Sequence, residues 1–302
     1  MSSFPPPLLT SSACEMNPSK RSTMEDVHRV VPGFMGERCL FLGVYDGHGG
    51  RGIVDFLERG LERNVAEELR KAREDNKRGQ DKVLQEDSKL LQEDNKLLQA
   101  GTAPPPGGGP CTELQACTEL QAIEKAYVIT DMQSRAAGIL SSGATAVTCL
   151  LYPGRVLAAN VGDARAVLVR GDGEALRLTY DHKADDEGEV RRIERAGGFL
   201  LRNRVLGILA VARSFGDHGM KEFVIGRPHL SETALLPSDR FLIVACDGLW
   251  DVVTDREAGD LLAGWSGGRG EEERRERGAQ MLVDEALRRG STDNISVVVT
   301  WL

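Results

Sequence analysis

The chain has 302 residues, 41% hydrophobic and 28% charged, a globular composition with apolar residues enough for one large core or two ordinary ones. Its 46 acids outnumber its 38 lysines and arginines by eight, which argues against a general grip on nucleic-acid phosphates and suits a protein that holds cations. The six cysteines form no C-x-x-C pair, so zinc-ribbon and thioredoxin-like readings have no support, and no apolar run reaches the length of a membrane span.

Residues 1–20 are rich in Pro and Ser and are expected to form a loose tail. Their first residues lack the basic-then-apolar pattern of a signal peptide and the second-position glycine of a myristoylation site, so a reduced cytosolic or nuclear location without membrane attachment is expected. Cys39 to Tyr45 reads as a buried strand, closed by a turn at Asp46-Gly47. From Ile53 the period changes: Ile53, Leu57, Leu61, Val65 and Leu69 recur every four residues between charges, which predicts an amphipathic helix to about Arg78.

Residues 79–122 read as an insertion. The stretch from Val83 nearly repeats itself after seven residues, but with too few apolar positions and too few heptads for a coiled coil, and is expected as a solvated helical extension. Ala103 to Pro110, rich in Pro and Gly, stops any helix, and the six residues from Cys111 are then duplicated from Cys117. A second amphipathic helix is expected to run to about Ala137. Beyond Gly143 come three short β-branched runs, Thr145 to Leu151, Val156 to Val161 and Ala164 to Val169, separated by Pro153-Gly154 and Gly162-Asp163. Further helices are expected at 185–196, 255–263 and 271–289, and further strands at 241–246 and 295–301. Strands and helices that do not strictly alternate predict an α+β fold: a central antiparallel β-sandwich flanked by helices on both sides, in four α-β-β-α layers.

The acids fall at strand ends. Asp46 and Asp247 each follow an apolar run and precede a glycine, Asp293 stands directly before the last strand, Asp163 lies between two strands, and Glu25-Asp26 is an adjacent pair. Taken singly, an Asp-Gly is a turn signal and an acid pair is a solvated surface feature. Taken together, with no bases beside them in sequence, these carboxylates would repel one another in a shared cleft unless a cation neutralised them. All-oxygen donors favour magnesium or manganese over zinc, and two such ions polarise a phosphate and depress the pKa of a water held between them. Arg21, just ahead of the acid pair, suits phosphate oxygens, and His48 in Asp46-Gly47-His48-Gly49-Gly50 suits a proton donor to a leaving alkoxide, although alone it reads as a polar turn residue.

Several ordered motifs then carry a resemblance: Arg21-Ser22-Thr23-Met24-Glu25-Asp26, Val44-Tyr45-Asp46-Gly47-His48-Gly49-Gly50, Ser142-Gly143-Ala144-Thr145-Ala146-Val147, Asn160-Val161-Gly162-Asp163-Ala164-Arg165, Asp181-His182-Lys183, Ala212-Arg213-Ser214-Phe215-Gly216-Asp217, Cys246-Asp247-Gly248-Leu249-Trp250-Asp251 and Thr292-Asp293-Asn294-Ile295. Their order resembles that of the protein phosphatase 2C family of metal-dependent serine/threonine phosphatases, over a single catalytic domain at 21–302. The resemblance implies two Mn2+ or Mg2+ ions, held by Asp46, Asp247 and Asp293, with Asp46 bridging, the Gly47 carbonyl contributing, and Glu25 acting through water. It implies that Asp26 supports the bound water, that Asp163 and Asp251 hold a weaker third ion, that Arg21 binds the substrate phosphate, and that His48 is the general acid. The segment from His182 to Pro228 corresponds to a flap beside the cleft. Ahead of Arg21, Asn17-Pro18-Ser19-Lys20 departs from the glycine usual there. Phosphoprotein substrates and a monomer are implied, with neither nucleic acid nor membrane as a partner. Two other readings are a catalytically inactive binding module of the same fold, against which Asp46, Asp247 and Asp293 all stand, and a two-metal nuclease, against which the net acidity speaks.

Overall fold

The computed structural model describes residues 8–36, 38–97 and 112–302. Two antiparallel sheets lie face to face. One has the order β1(Leu9–Glu15), β13(Ile295–Trp301), β12(Asp239–Ala245), β6(Arg165–Arg170), β7(Ala175–Arg177). The other runs β11(His229–Ala234), β5(Arg155–Val161), β4(Gly143–Tyr152), β3(Leu40–His48), β2(Asp26–Pro32), with the short β10(Phe215–Gly216) also pairing with β4.

The strand sequences are apolar on both faces because both faces are covered. Along β3, Leu40, Leu42 and Val44 enter the core between the sheets, where they meet Ala166, Leu168, Leu242 and Val244 of the other sheet. The alternate residues Phe41 and Tyr45 face the helices α1(Gly52–Leu97) and α2(Thr112–Ala136). On the opposite outer face, Val167, Ile243, Val297 and Val299 pack beneath α4(Asp247–Trp250), α5(Asp255–Ser266) and α6(Glu271–Arg288). The architecture is therefore the expected α-β-β-α sandwich. The predicted stripe on α1 holds: Ile53, Leu57, Leu61, Val65 and Leu69 are all fully buried, each contributing roughly 1.5–3 kcal/mol of transfer free energy.

Several local expectations are corrected. The strand ending at Tyr45 does not turn at Asp46-Gly47; β3 continues to His48, paired on one side with β2 (Asp46 opposite Asp26) and on the other with β4 (Asp46 opposite Thr145, His48 opposite Gly143). Strand pairing on both sides outweighs the local turn preference of Asp-Gly. The loose tail is also revised: Leu9–Glu15 forms β1, in register with β13 from Leu9 opposite Trp301 to Glu15 opposite Ile295, while residues 1–7 lie outside the described residues. A polar edge strand has no strong periodic signal of its own, and the partner that recruits it lies nearly 300 residues away in sequence.

The insertion is narrower than its sequence suggests. Helix α1 runs unbroken to Leu97 and α2 starts at Thr112, while the Pro- and Gly-rich run between them lies outside the described residues. By Glu119 the chain already belongs to the packed body. Glu119 is 1% exposed and joins three elements, accepting from Arg73 of α1 at 3.1 Å and from Arg155 of β5 at 2.5 Å.

After β7, residues 182–228 build a small subdomain beside the sheet ends. It contains α3(Glu187–Arg195), capped by the Asp186 carboxylate on the Gly188 and Glu189 amides, and the hairpin β8(Leu200–Leu201) with β9(Arg204–Val205). Its separate small core is Ala184, Ile193, Val205, Ala212 and Val224.

Candidate metal centre and phosphate cleft

Because neighbouring strands run antiparallel, the end of β3, the start of β2, the end of β12 and the start of β13 all emerge at one end of the sandwich. Each delivers an acid: Asp46, Asp26, Asp247 and Asp293. Asp163, in the turn between β5 and β6, joins them from the same end. Asp26 and Asp163 are buried, at 4% and 6% exposure. Gly47 follows Asp46 in the strand, and a side chain there would put its Cβ 2.6 Å from the Glu25 carbonyl oxygen, so only glycine lets the two acid-bearing segments lie this close.

Mutual repulsion is evident in the acid equilibria. Burial, and then the charges of Asp26, Asp247, Asp163 and Asp293, push the Asp46 carboxyl well above its ordinary value. Burial followed by Asp163, Asp251 and Asp293 raises Asp247 to about 8. Asp26 is raised to about 6, chiefly by burial. Burial also raises Asp163, against the pull of Lys183. Both carboxylate oxygens of Asp26 and Oδ1 of Asp247 are buried without a hydrogen-bond partner among the described residues. Orphaned, crowded, all-oxygen donors of this kind fit hard divalent cations. An oxygen of Asp26, one of Asp46 and the Cys246 sulfur lie within 4.8 Å of one another. Burial and the neighbouring acids keep the Cys246 thiol protonated, and its sulfur is bonded to the Asn294 carbonyl and the Ser296 amide. It is fully buried and belongs to the wall of the site.

The expectation that these acids lack bases is corrected in part. Arg21 donates to the Asp293 carboxylate and, through Nε, to the Thr292 carbonyl at 3.2 Å. The Lys183 ammonium lies 3.6 Å from Asp163 and 3.2 Å from Asp251, between the two acids assigned to a third ion. Both bases are distant in sequence from the acids they meet, which is why local composition hides them. Glu25 sits at the rim, where its carboxylate accepts from the Gly50 amide at 3.2 Å and from Thr23.

Two asparagines hold the segment bearing Arg21 in place. Asn294 accepts from the Glu25 amide at 2.8 Å and donates to the carbonyls of Met16 and Thr23. Asn17, in the left-handed conformation at φ 57°, donates to the carbonyls of Ser291 and Asp293. The departure from glycine ahead of Arg21 is thus accommodated, because asparagine also tolerates this backbone region. Ser291 in turn donates to the Gly248 carbonyl at 2.7 Å, tying the Asp293 loop to the Asp247 turn.

His48 donates through Nε2 to Asp217 Oδ2 at 2.8 Å. Burial pushes the Asp217 carboxyl up, but the hydrogen bonds from His48 and Ser214 and the charge of Lys221 outweigh it and hold it below its usual range. Sequence inspection gave Asp217 no role; its only signal was its place at the end of the Ser214-Phe215-Gly216-Asp217 motif, 169 residues from His48.

The helix-flanked antiparallel sandwich thus carries a carboxylate cluster at one end, with Arg21 paired to Asp293 at its edge. Residues 10–295 match the sequence profile of protein phosphatase 2C, and the chain belongs to that family of protein-serine/threonine phosphatases. It is 36% identical to "Probable protein phosphatase 2C 59" of Arabidopsis thaliana over 94% of this chain and 76% of that protein. It is 33% identical to "Protein phosphatase 2C homolog 1" of Saccharomyces cerevisiae over 95% of this chain and 90% of that one. The fold matches the crystal structure of serine-threonine phosphatase 2C from Toxoplasma gondii with a TM-score of 0.71, covering 99% of this chain and 96% of that one at 23% identity.

Proposed function

We propose that this chain hydrolyses phosphoserine and phosphothreonine monoesters in proteins with the help of two divalent cations, Mn2+ or Mg2+. The observation that carries the reading is the cluster of buried Asp26 with half-buried Asp46 and Asp247, whose carboxyls are forced upward and whose oxygens include three buried ones without partners among the described residues. Asp46, Asp247 and Asp293 with the Gly47 carbonyl would hold the pair of ions, Glu25 acting through water and Asp26 from behind; Asp163 and Asp251 would hold a weaker third in competition with Lys183. When bound, the cations supply charge neutralisation, polarisation of the phosphoryl group and a water of lowered pKa.

The remaining chemistry belongs to side chains. Arg21, half exposed at the cleft, offers guanidinium donors to the non-bridging phosphate oxygens, which must compete with Asp293 for them. His48 hands a proton to the seryl or threonyl oxygen as the P–O bond breaks, so that the departing group leaves as an alcohol.

The test is phosphate release from a phosphothreonine peptide by metal-stripped protein, before and after Mn2+ or Mg2+ is added. Release that appears with metal and disappears with chelator is expected. Folded protein that releases none under either cation overturns the reading in favour of an inactive binding module, and cleavage of a DNA oligonucleotide instead points to a nuclease.

A further inference from the structure

We propose that Asp217 is the positioning residue that makes His48 a proton donor through Nδ1; the inference rests on the hydrolytic reading above. A carboxylate oxygen can only accept, so the proton in the 2.8 Å contact between His48 Nε2 and Asp217 Oδ2 belongs to the ring. That leaves Nδ1 as the ring nitrogen free to serve the substrate. The His48 side chain is 35% exposed where that of Asp217 is 7%, so the acid is the buried anchor and the imidazole the exposed working group.

The backbone around this pair is shaped to bring it together. Gly143 of β4 is paired with His48 of β3 on one side and with Gly216 of β10 on the other. A side chain on Gly143 would place its Cβ 2.1 Å from Asp217 Oδ2 and 2.3 Å from His48 Nε2, so the two groups meet in the space that the missing side chain leaves. Asp217 itself has φ 47° and ψ 38°, a left-handed conformation rare outside glycine. It is kept there on every side. Its amide donates to the Ser142 carbonyl at 3.1 Å, its carbonyl accepts from Met220 at 2.8 Å, and Ser214 Oγ donates to Oδ2 at 2.6 Å. The preceding turn is anchored to α2, where Asp131 accepts from the Gly216 amide at 2.8 Å and from Lys221 at 3.0 Å. A surface ion pair would need none of this support.

In the reaction, a water oxygen bonds to phosphorus as the bond from phosphorus to the seryl or threonyl oxygen breaks; the attacking water gives up a proton to solvent, and the proton on His48 Nδ1 moves to the departing oxygen. The neutral imidazole left behind keeps its Nε2 proton on Asp217 and regains the other from solvent water. Asp217 holds the ring orientation and the tautomer through the cycle and is not itself protonated.

The experiment compares wild type with Asp217→Asn, loaded with Mn2+, on two substrates: a phosphothreonine peptide, whose alkoxide leaving group needs a proton, and p-nitrophenyl phosphate, whose leaving group does not. Expected is a fall in kcat of about 10- to 100-fold on the peptide, less than most of the roughly 100- to 10,000-fold that a general acid supplies because the donor ring itself remains, with KM within about twofold and a loss under about threefold on the aryl ester. His48→Ala should show the same selectivity, and the double variant should be no worse than His48→Ala alone. If Asp217→Asn melts early, Ser214→Ala carries the test, with a smaller loss confined to the peptide. Equal losses on both substrates, or additive ones in the double variant, overturn the role of Asp217 while leaving the phosphatase reading intact. A wild type inactive on both substrates overturns the phosphatase reading and this inference with it.

Discussion

At the scale of single residues, the site is a balance between carboxylates that repel and the few bases that reach them. Asp247 is central to it, because it feels Asp163, Asp251 and Asp293 together and has a buried oxygen without a partner. Replacing it with Asn removes a charge that a cation needs while keeping the shape. Asp247→Asn is expected to lower kcat/KM for a phosphothreonine peptide by more than the roughly 100-fold that losing a residue behind a metal ligand costs. It should also weaken cation affinity measured by calorimetry on the metal-stripped protein; unchanged affinity would remove Asp247 from the ligand set. Arg21 and Lys183 occupy acids in the same cleft, so the phosphate and third ion of the proposed function would each have to displace an existing ion pair.

At the scale of elements, α1 and α2 divide into a packed part and an extended part. The packed part of α1 ends near Ala72 and Arg73, and that of α2 begins near Glu119 and Leu120, where the two helices already meet through the Arg73–Glu119 pair. Residues 80–115 can therefore be replaced by a short Gly/Ser linker without opening the core. Such a variant is expected to hydrolyse the peptide within about twofold of wild type and to melt within about 3 °C of it, since no buried apolar contact among the described side chains is lost. A larger fall in either would show that the extension supports the catalytic body.

At the scale of the whole molecule, two sheets are held together at one end across a group of acids that resist ionisation. For carboxyls raised above the ordinary 3.8, to about 6 at Asp26 and about 8 at Asp247, the folded chain binds more protons than the unfolded one throughout the interval. Their contribution to stability is thus present below about pH 4 and is lost as pH rises toward about 8. A cation bound only by the folded state reverses the loss. In chelator, the melting temperature is expected to fall by at least about 3 °C between roughly pH 6 and pH 8.5 through these groups. Added Mn2+ should raise it more at the higher pH, and Asp247→Asn should flatten that difference. Equal Mn2+ stabilisation at both pH values would mean that these carboxyls are not where the ion binds.

The layered class, the α1 stripe, the runs that became β4, β5, β6, β12 and β13, and the acids Asp46, Asp163, Asp247 and Asp293 at strand ends were all legible from sequence, because periodicity and apolar runs are local properties. Ordered motifs placed Arg21, His48 and Asp26 beside them. Tertiary structure alone decided that Leu9–Glu15 is a strand, that β3 passes through Asp46-Gly47 to His48, and that Asn17 and Asn294 hold the segment bearing Arg21. It alone brought Lys183 to the acids and Asp217 to His48. The physical reason is common to all of these: each depends on a partner far along the chain, and antiparallel pairing brings distant strand ends to one edge that no local pattern encodes.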